Sequence, residues 1–349
     1  MKESGGRPYA DAVISSAVLE PESPADIREA VTAVIDNIRT VIYVERTKLE
    51  YIIAAKIAGG HVILADFHGV GKTSLARALA GSIRWDSEDM YADNVKVDRF
   101  NRIQCTVDLL PQDILGYNRF LGSTGEMIFN KGPIFAHFVL CDEINLLTPK
   151  TQGSFFQAME EQNVTIEGKT YVLPDPFFII ATMNLKGVHL FPLPAPQLDR
   201  FMVQLSIGFP EADEEFEIIR QHGRTDGWAD FSPVVDSRRL LQWKATVDEI
   251  EIHPDLVRYI VECVRRTRSH PDLEMPASPR TGVKLSRLAR ALAMIRGESH
   301  VSIDIVKEVF LPGVAHRLVP KDPAVSADEI AKEILDSVSV EAVRAARRP

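Results

Sequence analysis

Lys72 and Thr73 are the residues of this 349-residue chain whose type and spacing point most directly to a chemistry. They follow Gly69 and Gly71 in a turn, and the apolar residues after them recur at helical spacing. Backbone N–H groups of such a loop, together with the positive end of the following helix, surround a polyphosphate. The Lys72 ammonium would lie near the β- and γ-phosphates, and the Thr73 hydroxyl is a ligand for Mg²⁺. The predicted nucleotide contacts are His68, Gly69, Val70, Gly71, Lys72, Thr73 and Ser74.

Two adjacent carboxylates, Asp142 and Glu143, follow a second apolar run. A buried strand that ends in such a pair brings it to the carboxyl edge of a parallel sheet, where α/β proteins bind ligands. We expect Asp142 to hold Mg²⁺, through water, and Glu143 to polarise the water that attacks the γ-phosphate. An acidic pair after an apolar run is common by chance, so the hypothesis depends on its combination with the Gly-Lys-Thr loop.

Three further polar residues are candidates for catalysis, and each has a structural alternative. Asn184 follows an apolar run and could orient the attacking water, or form a turn at a strand end. Arg200 lies next to a predicted strand and could form a rim salt bridge, or act on phosphate across a subunit boundary. Arg280 opens a predicted helix and could reach the phosphates from the side of the second domain, or remain a solvated arginine.

The elements that must position these residues alternate between strand and helix patterns up to Pro210. Alternation of this kind predicts a parallel sheet with helices on both faces. The predicted strands are Val62–Ala65, Asn101–Thr106, His137–Cys141, Phe177–Thr182 and Phe201–Ile207. Beyond Pro210 the patterns are helical, which predicts a separate all-helical domain. Two insertions, at about 122–132 and 163–172, are predicted to be hairpins or loops that face a client or a pore, or that simply cover core edges.

Composition argues against several classes of protein, although local basic patches remain possible. The net charge of −9 argues against a nucleic-acid-binding surface, and no apolar run reaches the length of a membrane span. The amino-terminal residues lack the apolar core of a signal peptide, so a cytoplasmic location is expected. The three cysteines have no metal-site spacing and are interpreted as reduced core residues.

An ordered series of segments, rather than one short motif, resembles the MoxR family of AAA+ ATPases. The similarity extends from about Ile35 to Leu318. Its segments are RIQCTVDLLPQDILG, KGPIF, LCDEIN, PKTQ, QAMEEQNVTIEGKTYVLPDPFFIIATMN, FPLPAPQLDRF and ASPR.

The resemblance implies an α/β fold: an AAA+ P-loop αβα core with a parallel sheet, followed by an all-helical lid domain. The corresponding domains would be a flexible segment at 1–24, a nucleotide-binding core at 25–210 and the lid at 211–349. ATP and Mg²⁺ would bind between subunits of a homo-oligomeric ring, usually a hexamer. The matching positions are Lys72 and Thr73 for Walker A, Asp142 and Glu143 for Walker B, Asn184 for sensor 1, Arg200 for the arginine finger and Arg280 for sensor 2.

Family resemblance also implies a chaperone-like role. Such proteins hydrolyse ATP to ADP and phosphate while they mature or activate a metalloenzyme or another complex. They typically act with a von Willebrand A-domain partner, which here would be a separate chain. The expected function is therefore a Mg²⁺-dependent ATPase that remodels a protein client.

Departures from the family pattern leave alternatives open. Asp66 stands at the first Walker A glycine, and His68 stands where proline is usual. Because a carboxylate at position 66 could repel phosphate, slow hydrolysis is expected. A nucleotide-regulated scaffold with weak hydrolysis is the alternative function. A nucleic-acid motor is disfavoured by the acidic balance and by the absence of interleaved aromatic and basic residues.

Overall fold

A computed structural model describes residues 22–67, 69–121, 126–184, 191, 193–221 and 228–340. Most of the predicted amino-terminal segment (1–21), His68, residues 122–125 and the basic tail at 341–349 lie outside these residues. Within the described ranges, no helix is both long enough and apolar enough to cross a membrane.

The described residues form helices and strands that alternate along the first two thirds of the chain. The helices are α1 (Pro24–Arg39), α2 (Arg46–Ile57), α3 (Lys72–Gly81), α4 (Pro111–Leu115), α5 (Pro149–Glu161), α6 (Ala195–Leu198), α7 (Ala212–Gln221), α8 (Ser237–Thr246), α9 (Pro254–Ser269), α10 (Pro279–Ile295), α11 (Ile303–Val314) and α12 (Ala327–Ser337). The strands are β1 (Val62–Ala65), β2 (Ile83–Arg84), β3 (Tyr91–Ala92), β4 (Val95–Lys96), β5 (Asp98–Gln104), β6 (Gly116–Leu121), β7 (Glu126–Lys131), β8 (Ala136–Asp142), β9 (Asn163–Ile166), β10 (Lys169–Val172), β11 (Phe178–Met183), β12 (Val203–Leu205), β13 (Val235–Asp236), β14 (Leu273–Met275) and β15 (Val319–Pro320).

The main sheet of the described residues has five strands in the order β12-β1-β11-β8-β5, and all neighbouring pairs are parallel. This confirms the parallel sheet that the sequence predicts. The register pairs Ala65 with Met183 and Gln104 with Asp142. The carboxyl ends of β1, β11, β8 and β5 therefore meet at one edge, where the connections that follow them converge.

Alternation along the strands divides the core into two layers. Val62 and Leu64 pack with one buried cluster, which continues into α1, α2, α3 and the carboxyl-terminal helices. Ile63 packs with the other cluster, which lies beneath α5 and the hairpins. Because both faces of the sheet are covered, its strands read as continuous apolar runs, and all seven residues of β8 are buried.

The region after Pro210 is mostly helical, as predicted, and α10 packs against α1, α2, α9 and α11. It also contains three short strands, β13, β14 and β15, that the helical periodicity did not indicate. Strand β13 pairs in parallel with β2, and β14 pairs with β15 in the antiparallel sense. These strands are only two or three residues long, too short to produce a recognisable alternation.

Both predicted insertions form hairpins, but the boundary predicted for the first was wrong. Strands β9 and β10 match the prediction, with Glu167 and Gly168 at positive φ in the turn. The first hairpin begins at Gly116 rather than at residue 122, since β6 pairs with β7 along its whole length. Its base requires glycine: a Cβ at Gly132 would lie 2.1 Å from the Ile114 carbonyl oxygen. Strand β6 is largely exposed, so burial left no periodic signal there.

Candidate functional site

The segment between β1 and α3, which the sequence predicts to be a phosphate loop, contains two glycines with left-handed backbone conformations. Gly69 and Gly71 have φ of +83° and +84°, a region that glycine adopts without steric cost. A Cβ at Gly71 would also lie 2.7 Å from Cδ1 of Ile42, so the Ile42 side chain would have to move, but the positive φ is the feature that favours glycine. Helix α3 begins at Lys72, and its amino end therefore directs unpaired N–H groups into the loop.

Lys72 directly follows this loop, as the first residue of α3. Its ammonium donates hydrogen bonds to the carbonyl oxygens of Asp66 (3.3 Å) and Phe67 (3.0 Å). Thr73 and Ser74, which follow it in the first turn of α3, are half-buried. These contacts keep the charge of Lys72 beside the loop, where it would meet a bound phosphate.

Asp66 does not point into the loop as the sequence suggested it could. Its side chain is only 5% exposed, and both carboxylate oxygens accept hydrogen bonds from the segment after β12. Ser206 Oγ donates at 2.7 Å, the Ile207 N–H at 2.6 Å and the Gly208 N–H at 3.2 Å. The carboxylate therefore ties the loop to the chain segment that leads into α7.

Asp142 and Glu143 lie at the carboxyl edge of the sheet, as predicted. Asp142 is the last residue of β8, and its Oδ1 accepts a 2.7 Å hydrogen bond from the Thr182 hydroxyl. The same hydroxyl accepts a 2.9 Å hydrogen bond from the Glu143 N–H. Glu143 has φ of +60°, an uncommon conformation for a residue other than glycine. Thr182 thus fixes the carboxylate of one acidic residue and the backbone of the other.

Arg102 is a further member of this cluster. Its Nε and Nη2 both donate to Asp142 Oδ2, at 3.1 and 2.6 Å, and Nη2 also donates to Gln104 Oε1 at 2.8 Å. The arginine side chain is 47% exposed and the Asp142 side chain 12% exposed. One edge of the carboxylate expected to hold a metal ion therefore carries a guanidinium.

Asn184 follows β11 and reaches the same edge of the sheet. Its carbonyl oxygen accepts a 3.1 Å hydrogen bond from Nδ2 of Asn145. Asn145 lies in the short helical turn after Glu143, so this contact ties the acidic pair to the end of β11. The loop, the acidic pair and Asn184 are therefore brought together by the ends of three adjacent strands, β1, β8 and β11.

Arg200 and Arg280 lie elsewhere, at the amino end of the sheet. Both contact Glu160 at the end of α5: Arg280 Nη1 lies 2.8 Å from Oε1, and Arg200 Nη2 lies 3.2 Å from Oε2. They line a cavity of about 300 Å³ that also includes His61, the residue before β1. Since β1 has four residues and a strand rises about 3.3 Å per residue, this group lies roughly 13 Å or more from the loop of the same chain.

A buried network fixes the Arg200 segment to the helical region. Arg317, 4% exposed, donates to the Asp199 carboxylate and to the Phe201 carbonyl. The Lys284 ammonium on α10 donates to the carbonyl oxygens of Asp199 and Arg200. Burial and the nearby Arg317 lower the pKa of Lys284 to about 7. Arg200 and Arg280 are therefore held in a fixed relation to one another.

The oxygens of Thr73 and Asp142 suit Mg²⁺, which prefers hydroxyl, carboxylate, phosphate and water ligands. Among the described residues, no group of three or more His, Cys, Asp or Glu side chains could hold a metal ion. A magnesium ion held by few protein oxygens, with phosphate and water as its other ligands, fits this donor set.

Sequence reasoning did not identify the residues that position the site. In the sequence these residues look like ordinary surface or strand residues, and their roles depend on which strands are neighbours. They are Arg102, Gln104, Thr182 and Glu160. Arg102 and Gln104 do occur two positions apart at the end of a predicted strand, which places both on one face. That spacing was the one feature of the sequence that could have indicated a shared role for Arg102 and Gln104.

Comparisons with known proteins agree with this architecture. Residues 61–203 match the family described as "ATPase family associated with various cellular activities (AAA)", and residues 265–337 match the AAA lid domain. The uncharacterised protein YeaC of Bacillus subtilis is 34% identical over 93% of this chain and 98% of its own length. The chaperone MoxR1 of Mycobacterium tuberculosis is 33% identical over 86% of this chain and 78% of its own length. The crystal structure of a candidate ATPase from Cytophaga hutchinsonii is 28% identical and covers 90% of this chain and 96% of its own, with a TM-score of 0.80.

Proposed function

Since this chain belongs to the MoxR family of AAA+ ATPases, we propose that it hydrolyses ATP to ADP and phosphate and uses that reaction to remodel a protein client. The observation that carries the proposal is the meeting of the loop, the acidic pair and Asn184 at one edge of the sheet. Three sequence-distant segments converge there only because their strands are neighbours.

Each residue at this edge has a role that its chemistry supports. Lys72 and the N–H groups at the start of α3 would bind the β- and γ-phosphates. Thr73 and Asp142 would hold Mg²⁺, which when bound supplies positive charge against the phosphate oxygens. Glu143 would accept a proton from the attacking water, and the Asn184 amide would orient that water.

We assign Arg200 and Arg280 to the nucleotide of a neighbouring copy. In one chain both arginines lie at the opposite end of β1 from Lys72. A homo-oligomeric ring, with six subunits as the family expectation, would place these guanidinium groups against a phosphate bound to the next subunit. There they would stabilise the charge that develops on the transferred phosphoryl group.

The hairpin β6–β7 is the part of the chain best suited to contact a client. Its strands expose large apolar side chains, and Asn118 links it to the second hairpin through a 3.0 Å hydrogen bond to Glu167. The exposed residues are Tyr117, Phe120, Met127 and Ile128. Such side chains could grip apolar segments of a partly unfolded protein. A separate von Willebrand A-domain protein is the partner class that the family suggests.

Phosphate release by purified protein with Mg²⁺ tests the proposal. Glu143→Gln should retain ATP but lose turnover, because only the proton acceptor is removed. Lys72→Ala should lose binding and turnover together. Normal phosphate release by Glu143→Gln would contradict the assigned role, and equal background rates in wild type and Lys72→Ala would favour a nucleotide-regulated scaffold instead.

A further inference from the structure

Both oxygens of the Asp142 carboxylate, which the proposed function assigns to Mg²⁺, already accept hydrogen bonds within the chain. Thr182 occupies Oδ1, and Arg102 occupies Oδ2 through two N–H groups. Charge-assisted bonds of this kind are short and about twice as strong as neutral ones. A cation that uses Oδ2, directly or through water, must therefore replace the guanidinium rather than join it.

We propose that Arg102 is a resident counter-ion of the metal site, and that Mg²⁺-nucleotide binding uses Asp142 Oδ2 and therefore requires the guanidinium to leave that oxygen. This inference rests on the metal role of Asp142 in the proposed function. Arg102 would act on the site only through Asp142, since it contacts that carboxylate and not the reacting atoms.

The surroundings of Arg102 allow this exchange. It projects from β5, the edge strand of the main sheet, and nearly half of its side chain is exposed. Water can therefore solvate the guanidinium once it is displaced, whereas Asp142 would be left buried without a cation. The Gln104 amide oxygen, which already accepts from Nη2, gives the displaced group a nearby partner.

The proposal predicts in which direction the loss of Arg102 changes the effect of Mg²⁺ on nucleotide affinity. A resident guanidinium competes with Mg²⁺, so removing it should strengthen the cooperation between Mg²⁺ and the nucleotide. If Arg102 instead prepared Asp142 for the metal, removing it would weaken that cooperation. Binding equilibria separate the two cases without any measurement of turnover.

Calorimetric titration of the full chain with ADP, in Mg²⁺ and in EDTA, tests the proposal. The dissociation constant in EDTA divided by the dissociation constant in Mg²⁺ reports how strongly the metal supports nucleotide binding. This ratio cancels effects that are common to both conditions. Arg102→Ala should raise this ratio about five- to tenfold, since a tenfold change is the size expected from one charge-assisted contact. Arg102→Lys, which retains a cation, should give a ratio between those of Arg102→Ala and wild type.

Two further variants serve as controls for the change in this ratio. Arg99→Ala removes an exposed arginine from the same strand and should leave the ratio at the wild-type value. Asp142→Asn should bring the ratio close to one. An unchanged or lower ratio in Arg102→Ala overturns the proposal while the proposed function stands. A wild-type chain that binds no ADP contradicts both.

Discussion

Replacing Asp66 by glycine restores the residue expected at the start of the phosphate loop, and we predict that it nevertheless weakens the protein. The repulsion argument from sequence predicts tighter nucleotide binding in Asp66→Gly, because a nearby negative charge is removed. The structure predicts the opposite, because this carboxylate accepts three hydrogen bonds from residues 206–208 and so holds the phosphate loop to that segment.

The size of the effect follows from those bonds. Hydrogen bonds to a charged group contribute about 1.5–3 kcal/mol each. The three share one carboxylate and do not add fully, so we expect the free energy of unfolding to fall by about 4 kcal/mol. Unfolding entropy is about 2.1 cal/mol/K per residue, which for 349 residues converts this loss to a decrease in Tm of about 5 °C.

Thermal unfolding followed by circular dichroism measures the stability, and titration with ADP measures the affinity. Asp66→Asn is the matched control: it keeps the size of the side chain and an acceptor oxygen, so its Tm should lie between those of wild type and Asp66→Gly. An Asp66→Gly protein with unchanged Tm and tighter ADP binding would refute the reasoning.

Three further predictions concern other parts of the chain. Burial lowers the pKa of Lys56, whose ammonium lies 5.5 Å from the ring centroids of both Phe138 and Phe178, to about 7. Between pH 7 and about 10.5 the unfolded chain therefore binds one proton more than the folded chain, and stability falls as pH decreases through that range. Lys56→Met should therefore raise the free energy of unfolding by about 1–3 kcal/mol at pH 6.5 and by much less at pH 10, which urea unfolding at the two pH values checks. Thr182→Val removes both hydrogen bonds of its hydroxyl and should lower kcat about tenfold with little change in KM, and an unchanged kcat would contradict its positioning role. Gly132→Ala should lower the free energy of unfolding by about 2 kcal/mol, because the added Cβ would lie against a fixed backbone carbonyl. A Tm equal to that of wild type would contradict this geometry.

The sequence predicted the main sheet and the edge where the site lies. Buried strands such as β8 read as continuous apolar runs, and the glycines, lysine and acidic pair that follow them belong to patterns with a known mechanism. Two-residue strands and the exposed strand β6 were not predicted correctly, because neither length nor burial gave them a periodic signal.

Side-chain partners could not be inferred in the same way. The sequence placed Asp66 next to phosphate, and only the position of residues 206–208 beside β1 shows where its carboxylate points. Likewise, Arg102 pairs with Asp142 because β5 and β8 are neighbours, which depends on the order of strands rather than on their composition. The location of Arg280 beside Arg200 also required the packing of the helical region.

A mixing experiment tests most directly the claim that the nucleotide lies between copies of the chain. Lys72→Ala lacks a working phosphate loop but retains Arg200, whereas Arg200→Ala retains the loop but lacks the guanidinium for its neighbour. Each variant alone should release little phosphate, and an equimolar mixture should recover activity, because some interfaces then combine an intact loop with an intact arginine. A mixture that releases no more phosphate than the sum of the two variants would contradict the shared site.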